Sequence, residues 1–115
     1  MSDQRQLWDN YAACWSADPE IRLAALGAVV VDDVSYRDPQ TEVSSLAELD
    51  AYMNGFAAAF PGHRFRIEDV FDHHGRSLAR WTQLGPDGGA FMTGVSSAVH
   101  RDGLLADVTG FFLSA

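Results

Sequence analysis

Three clusters of turn-forming residues, His74-Gly75, Gly85-Pro86-Asp87-Gly88-Gly89 and Arg101-Asp102-Gly103, cut the chain from His63 onward into four strand-like stretches. None of these separators is long enough to hold a crossover helix. Consecutive strands joined by such short turns must lie antiparallel, so the second half predicts a meander. The first half reads differently. Leu7, Trp8, Tyr11, Cys14 and Trp15 recur at helical spacing behind Asp3 and Gln6, which are placed like a capping box. Asp18-Pro19 suits an N-cap followed by proline in the first turn, predicting a second helix from Pro19 to about Ala28. Val29 to Arg37 is β-branched and alternating. Ser45 with Glu48 opens a third helix whose stripe is Leu46, Leu49, Met53, Phe56 and Phe60, ended by Pro61-Gly62. Helices grouped before an antiparallel sheet give an α+β fold, in one domain spanning residues 1–115.

Composition narrows the partners. The net charge of -8 argues against nucleic acid and anionic membrane, which the surface would repel. The longest apolar run, Ala24 to Val31, is too short to cross a bilayer. The N-terminus has neither an apolar signal core nor a transit-peptide pattern, and the single cysteine, Cys14, forms no internal disulfide, so a cytoplasmic protein is expected. A small molecule or another protein remains as the partner.

The segment Asp32 to Pro39 carries the most pointed chemistry. Strand alternation puts Tyr36 and Asp38 on one side, where a carboxylate facing an apolar cavity could move protons. Asp38-Pro39 equally suits a strand end and turn. The histidines suggest no metal: His73-His74 fit a surface turn, His63 a strand start, and none has ligand spacing. His100 shares a strand face with Met92, Gly94, Ser96 and Ala98, as a candidate acid or base at a pocket end or a residue at its rim. The glycines near Pro86 join two strands, so they form no phosphate loop.

Trp15 to Asp18, Asp32 to Pro39, Phe60-Pro61-Gly62, Arg80-Trp81, Asp87-Gly88 leading to Gly94, and Asp102-Gly103 leading to Phe111-Phe112 follow one another in an order that resembles the nuclear transport factor 2-like superfamily. The likeness is to its SnoaL-like and ketosteroid isomerase-like members and covers nearly the whole chain. It implies a cone-shaped roll in which three N-terminal helices pack on a curved, mostly antiparallel sheet around a pocket. It also implies a cofactor-independent isomerase or cyclase acting on an apolar cyclic, polyketide-like or steroid-like carbonyl compound. Asp38 falls at the position of the isomerase's base, and Tyr11 near that of its oxyanion-stabilising tyrosine; an ordinary core aromatic is the other reading of Tyr11. Met92 stands where the isomerase keeps a neutral carboxylic acid as second donor, so that donor is missing.

By the same resemblance the faces bearing Met92 and Arg80 look into the cavity, while Trp81, Phe91 and Val95 lie on an outer face that pairs two copies. Trp8, Trp15, Met53, Phe56 and Phe60 from the helices, with Tyr36, Met92, Ser96, His100 and Phe112 from the strands, are the expected substrate contacts. Limonene epoxide hydrolase offers a second likeness: Arg80 matches its arginine, whereas Thr82 and Gly110 replace its two aspartates. Arg80 thus reads as a third catalytic residue or as a side chain snorkelling at the rim. Two functions stand: an enzyme using Asp38 for acid/base chemistry, or a non-catalytic hydrophobic-ligand-binding or dimerisation module of the same fold.

Overall fold

The computed structural model describes residues 3–114. Helix α1 (Asp3–Cys14) and helix α2 (Pro19–Gly27) are followed by strand β1 (Val30–Asp38), a short β2 (Thr41–Val43) and helix α3 (Leu46–Ala59). Four long strands complete the chain: β3 (Arg64–His73), β4 (Arg76–Leu84), β5 (Ala90–Arg101) and β6 (Leu104–Ser114). They form one six-stranded sheet in the order β2-β1-β6-β5-β4-β3, antiparallel throughout except where β1 meets β6. The α+β roll expected from the sequence is the observed fold.

Local chemistry explains the boundaries. Both two-residue turns, His74-Gly75 (φ 49° and 76°) and Asp102-Gly103 (φ 56° and 78°), have positive φ at each position, the twist that lets tight hairpins follow a twisted sheet. Ser45 Oγ accepts from Glu48 N at 3.1 Å, and Glu48 Oε1 accepts in return from Ser44 N at 2.8 Å, which closes the capping box of α3 one residue early. At α2, Asp18 leaves its side chain out of the cap and only its carbonyl accepts, from Ile21 N and Arg22 N. The capping role of Asp3 falls on a side chain outside the described residues. The three residues of β2 suffice to pair with Tyr36 to Asp38 and turn the chain back over the end of β1.

Curvature comes from register shifts in β1–β6, β3–β4, β4–β5 and β5–β6, since each extra residue bends its strand. The helices fill the concave face, where Trp8, Leu26, Leu49, Met53, Val34, Leu105 and Val108 are almost fully buried. The Arg22 side chain, 1% exposed, is a buried cation among them. It donates to Cys14 O at 3.0 Å, to Ala17 O at 2.8 Å and to Asn54 Oδ1 at 3.3 Å, tying the α1–α2 turn to α3. Among the described residues no helix is long and apolar enough to cross a membrane, and no cluster of three or more metal-ligating side chains occurs.

Candidate active site

The mouth of the cone opens into a cavity of about 530 Å³ bordered mainly by aromatic side chains. Trp15 is its centre, with ring centroids 5.5–5.9 Å from Tyr36, Tyr52, Phe56 and Phe65. Such walls exclude water and strengthen the few polar contacts within.

Asp38 is the carboxylate at the wall. Its Oδ2 accepts from Tyr36 Oη at 2.7 Å and from Tyr52 Oη at 3.0 Å, while Oδ1 accepts from Gln40 N at 2.8 Å. Strand alternation brings in Tyr36, helix α3 brings Tyr52, and the β1–β2 turn brings the Gln40 amide. One oxygen of Asp38 shapes the turn, and the other faces the phenols. Three converging donors suit an ionised, acceptor-only carboxylate. Gly110 leaves the floor beside it bare, since a Cβ there would stand 3.7 Å from Asp38 Cβ and 3.3 Å from Ser96 Oγ.

Tyr11 is 5% exposed and borders the same cavity, yet its hydroxyl has no hydrogen-bond partner among the described residues. Burial pushes its pKa far above the usual tyrosine range; the Trp15 side chain opposes this in part without meeting hydrogen-bond geometry, and Cys14 and Asp38 add to it. Tyr36 is raised likewise, by burial first and then by Tyr11 and Asp38. Tyr52 is raised by burial and by Asp38. All three phenols are thus proton donors at neutral pH.

The other expected contacts divide. Trp8, Trp15, Tyr36, Phe56, Phe60, Met92, Ser96 and Phe112 border the cavity. Met53 does not: it is fully buried behind the wall, on the core side of α3. His100 does not either, because it lies under α1 with Nε2 2.7 Å from Ser77 Oγ, which accepts from Trp8 Nε1 at 2.9 Å. Burial lowers the pKa of His100, partly opposed by Asp72.

Arg80 is the main correction. It points away from the cavity and pairs with Asp69 on the outer face, Nη2 to Oδ2 at 2.7 Å and Nε to Oδ2 at 2.8 Å, with about half of each side chain exposed. The reason is register. Arg80 pairs with Val95 and Trp81 with Gly94, so Trp81 and Gln83 face inward with Met92 and Ser96, and a one-residue difference in parity exchanges the faces of the whole strand. The match to the epoxide hydrolase arginine fails for the same reason, and Thr82 turns outward to Glu68, 2.7 Å away. Trp81 crosses Gly94, where a Cβ would come within 2.3 Å of its ring, and donates to Ser96 Oγ at 3.0 Å. A glycine inside a strand was the signal that a large ring passes over it. Phe91 also leaves the outer face, because the β4–β5 irregularity between Gln83 and Leu84 re-aims it towards Phe60 and His63 at the rim.

Sequence reasoning missed Tyr52, Gln83, Trp81 and Phe65 as cavity residues. Tyr52 was legible: it falls three residues after Leu49 and four before Phe56, on the same helix face.

The family model of the SnoaL-like domain matches residues 8–108. The chain belongs to the SnoaL-like family. Among solved structures it is similar to a candidate isomerase of that family from Agrobacterium tumefaciens, with a TM-score of 0.92 and 23% identity over 99% of this chain and 100% of the other. A candidate ketosteroid isomerase from Kribbella flavida aligns with a TM-score of 0.73 and 19% identity, over 96% and 78% of the two chains. A candidate polyketide cyclase from Sinorhizobium meliloti gives 0.74 and 15%, over 91% and 93%. At these identities the likeness establishes the shared fold. No curated protein matches the chain.

Proposed function

We propose that this SnoaL-like protein moves a proton at the carbon beside a carbonyl of an apolar cyclic, polyketide-like or steroid-like compound, with Asp38 as the base. The observation that carries this reading is a triply hydrogen-bonded carboxylate sharing an aromatic cavity with a phenol, Tyr11, that has no hydrogen-bond partner among the described residues. Asp38 takes the proton, the C–H electron pair forms a carbon–carbon double bond, and the carbonyl electrons move onto oxygen. Tyr11 donates a hydrogen bond to that oxygen as charge develops. Returning the proton to a different carbon completes an isomerisation, whereas attack by the enolate carbon on a second carbonyl, whose π electrons move onto its oxygen and take up the proton from Asp38, completes a cyclisation. Tyr36 and Tyr52 hold the carboxylate in place, and the aromatic wall orients the substrate. No cofactor is required by these steps.

Met92 at the wall offers no second donor to the oxyanion, and this favours the alternative of a binding module that retains the cavity without the chemistry. Hydrogen–deuterium exchange separates the two. In D2O, mass spectrometry of cyclic ketones is expected to show exchange beside the carbonyl that Asp38→Asn abolishes and Tyr11→Phe slows. Binding without exchange above the uncatalysed rate would overturn the enzyme reading.

Pairing with a second copy through the outer sheet face belongs to the same proposal. Phe71, Leu78, Val99 and Phe111, between 37% and 57% exposed, form an apolar field on that side. Sedimentation that gives a monomer at micromolar concentration would remove this part.

A further inference from the structure

The polar wall of the cavity does not end at Asp38. Gln83 is 2% exposed, borders the same cavity, and makes one side-chain hydrogen bond among the described residues, Nε2 to His63 Nδ1 at 2.9 Å. An amide has a donor end and an acceptor end. His63 uses one of them, and the other makes no hydrogen bond among the described residues, which leaves it to a group that enters the cavity. His63 in turn is fixed between Phe60 and Phe91, with ring centroids at 5.2 and 5.0 Å. The amide is therefore held by an imidazole that is itself clamped, which is the construction of a positioned contact.

Its place follows from the register. Gly110, beside Asp38, pairs with Ser96, and Ser96 pairs with Ala79. Gln83 is four residues further along β4, on the order of 13 Å at the rise of a strand. The two polar groups border one aromatic cavity from strands three places apart in the sheet, β1 and β4.

We propose that Gln83, positioned by His63, is a second recognition site that binds a hydroxyl on the far end of an elongated apolar substrate. A hydroxyl both donates and accepts, so it satisfies the amide whichever end His63 leaves free. The substrate would carry two oxygens held apart by an apolar skeleton, one at Tyr11 and Asp38 and one at Gln83. This assignment rests on the proposed site at Asp38 for the near end.

The test uses para-phenylphenol and its counterpart with a hydroxyl on both para positions, titrated by calorimetry against the whole protein. The two-ended ligand is expected to bind about tenfold tighter, and Gln83→Met to erase that difference. His63→Phe keeps a ring between Phe60 and Phe91 but frees the amide, and is expected to shrink the difference to about threefold, which keeps the test alive if Gln83→Met does not fold. Equal affinities in the unaltered protein, a difference retained in both variants, or no binding of either ligand would overturn the proposal. Failure of the catalytic reading alone would look different: no hydrogen exchange, with the Gln83-dependent difference intact.

Discussion

Tyr52 of α3 donates to Oδ2 of Asp38 on β1 at 3.0 Å, joining the third helix to the strand that bears the candidate base. That oxygen also accepts from Tyr36 at 2.7 Å. Loss of one phenol leaves the other to hold the carboxylate, so the two should be coupled. Tyr52→Phe is expected to cost about 1 kcal/mol in chemical denaturation and to slow hydrogen exchange roughly tenfold, because the carboxylate loses orientation. A double cycle with Tyr36→Phe checks the coupling: strictly additive losses would mean that the two bonds act independently.

Alkali should unfold the protein through its tyrosines. Tyr11, Tyr36 and Tyr52 all have pKa values raised above the ordinary range, with burial the largest cause. Below about pH 10 both folded and unfolded chains keep these protons, and the contribution to stability is constant. Above it the unfolded chain releases protons that the folded chain retains, so stability falls as pH rises, by about 1.4 kcal/mol per pH unit for each such phenol. Denaturation series at rising pH should show this fall, and Tyr11→Phe should make it shallower.

His100 should act on the acid side. Its pKa is lowered by burial, and the chain from Trp8 Nε1 through Ser77 Oγ offers Nε2 a hydroxyl donor that suits the neutral ring. Above about pH 6.5 both states are neutral and the stability is present in full. As the pH falls the unfolded chain takes up its proton first, and the contribution is lost as pH passes through the lower folded value. The difference in stability between the unaltered protein and His100→Gln should therefore narrow on acidification; a difference that stays constant would remove the titration from the account.

Gly94→Ala tests the inward position of Trp81. The new Cβ would meet the Trp81 ring at 2.3 Å and Phe111 O at 2.5 Å, and the backbone oxygen cannot rotate away. A loss of roughly 3 kcal/mol is expected, with weaker ligand binding as the indole shifts into the cavity. Unchanged stability and affinity would show that Trp81 does not pack over this glycine.

Much of this architecture was already legible in local patterns. Turn residues at His74-Gly75 and Asp102-Gly103 demand positive φ, and Ser45 with Glu48 marks a helix start, so the hairpins and α3 follow from rules that act within a few residues. The pairing of Tyr36 with Asp38 on one strand face is equally local, and the geometry agrees. What parity alone left open was the sidedness of β4. Leu78 and Arg80 alternate with Ala79 and Trp81 in a way that permits either face to be buried, and only the register with β5 sends Trp81 and Gln83 inward and Arg80 out to Asp69. Register shifts then moved Phe91 to the rim and curved the sheet until Asp38 and Gln83 bordered one cavity.

The sequence by itself determined the helices, the long strands, the turns between them and the carboxylate with its neighbouring phenol, because propensity, capping and alternation are decided by residues close along the chain. Only the tertiary structure decided which face of β4 is wet, that Tyr52 reaches Asp38, and that the Tyr11 hydroxyl has no hydrogen-bond partner among the described residues. Those depend on how distant segments meet, and a shift of one residue in pairing inverts a strand.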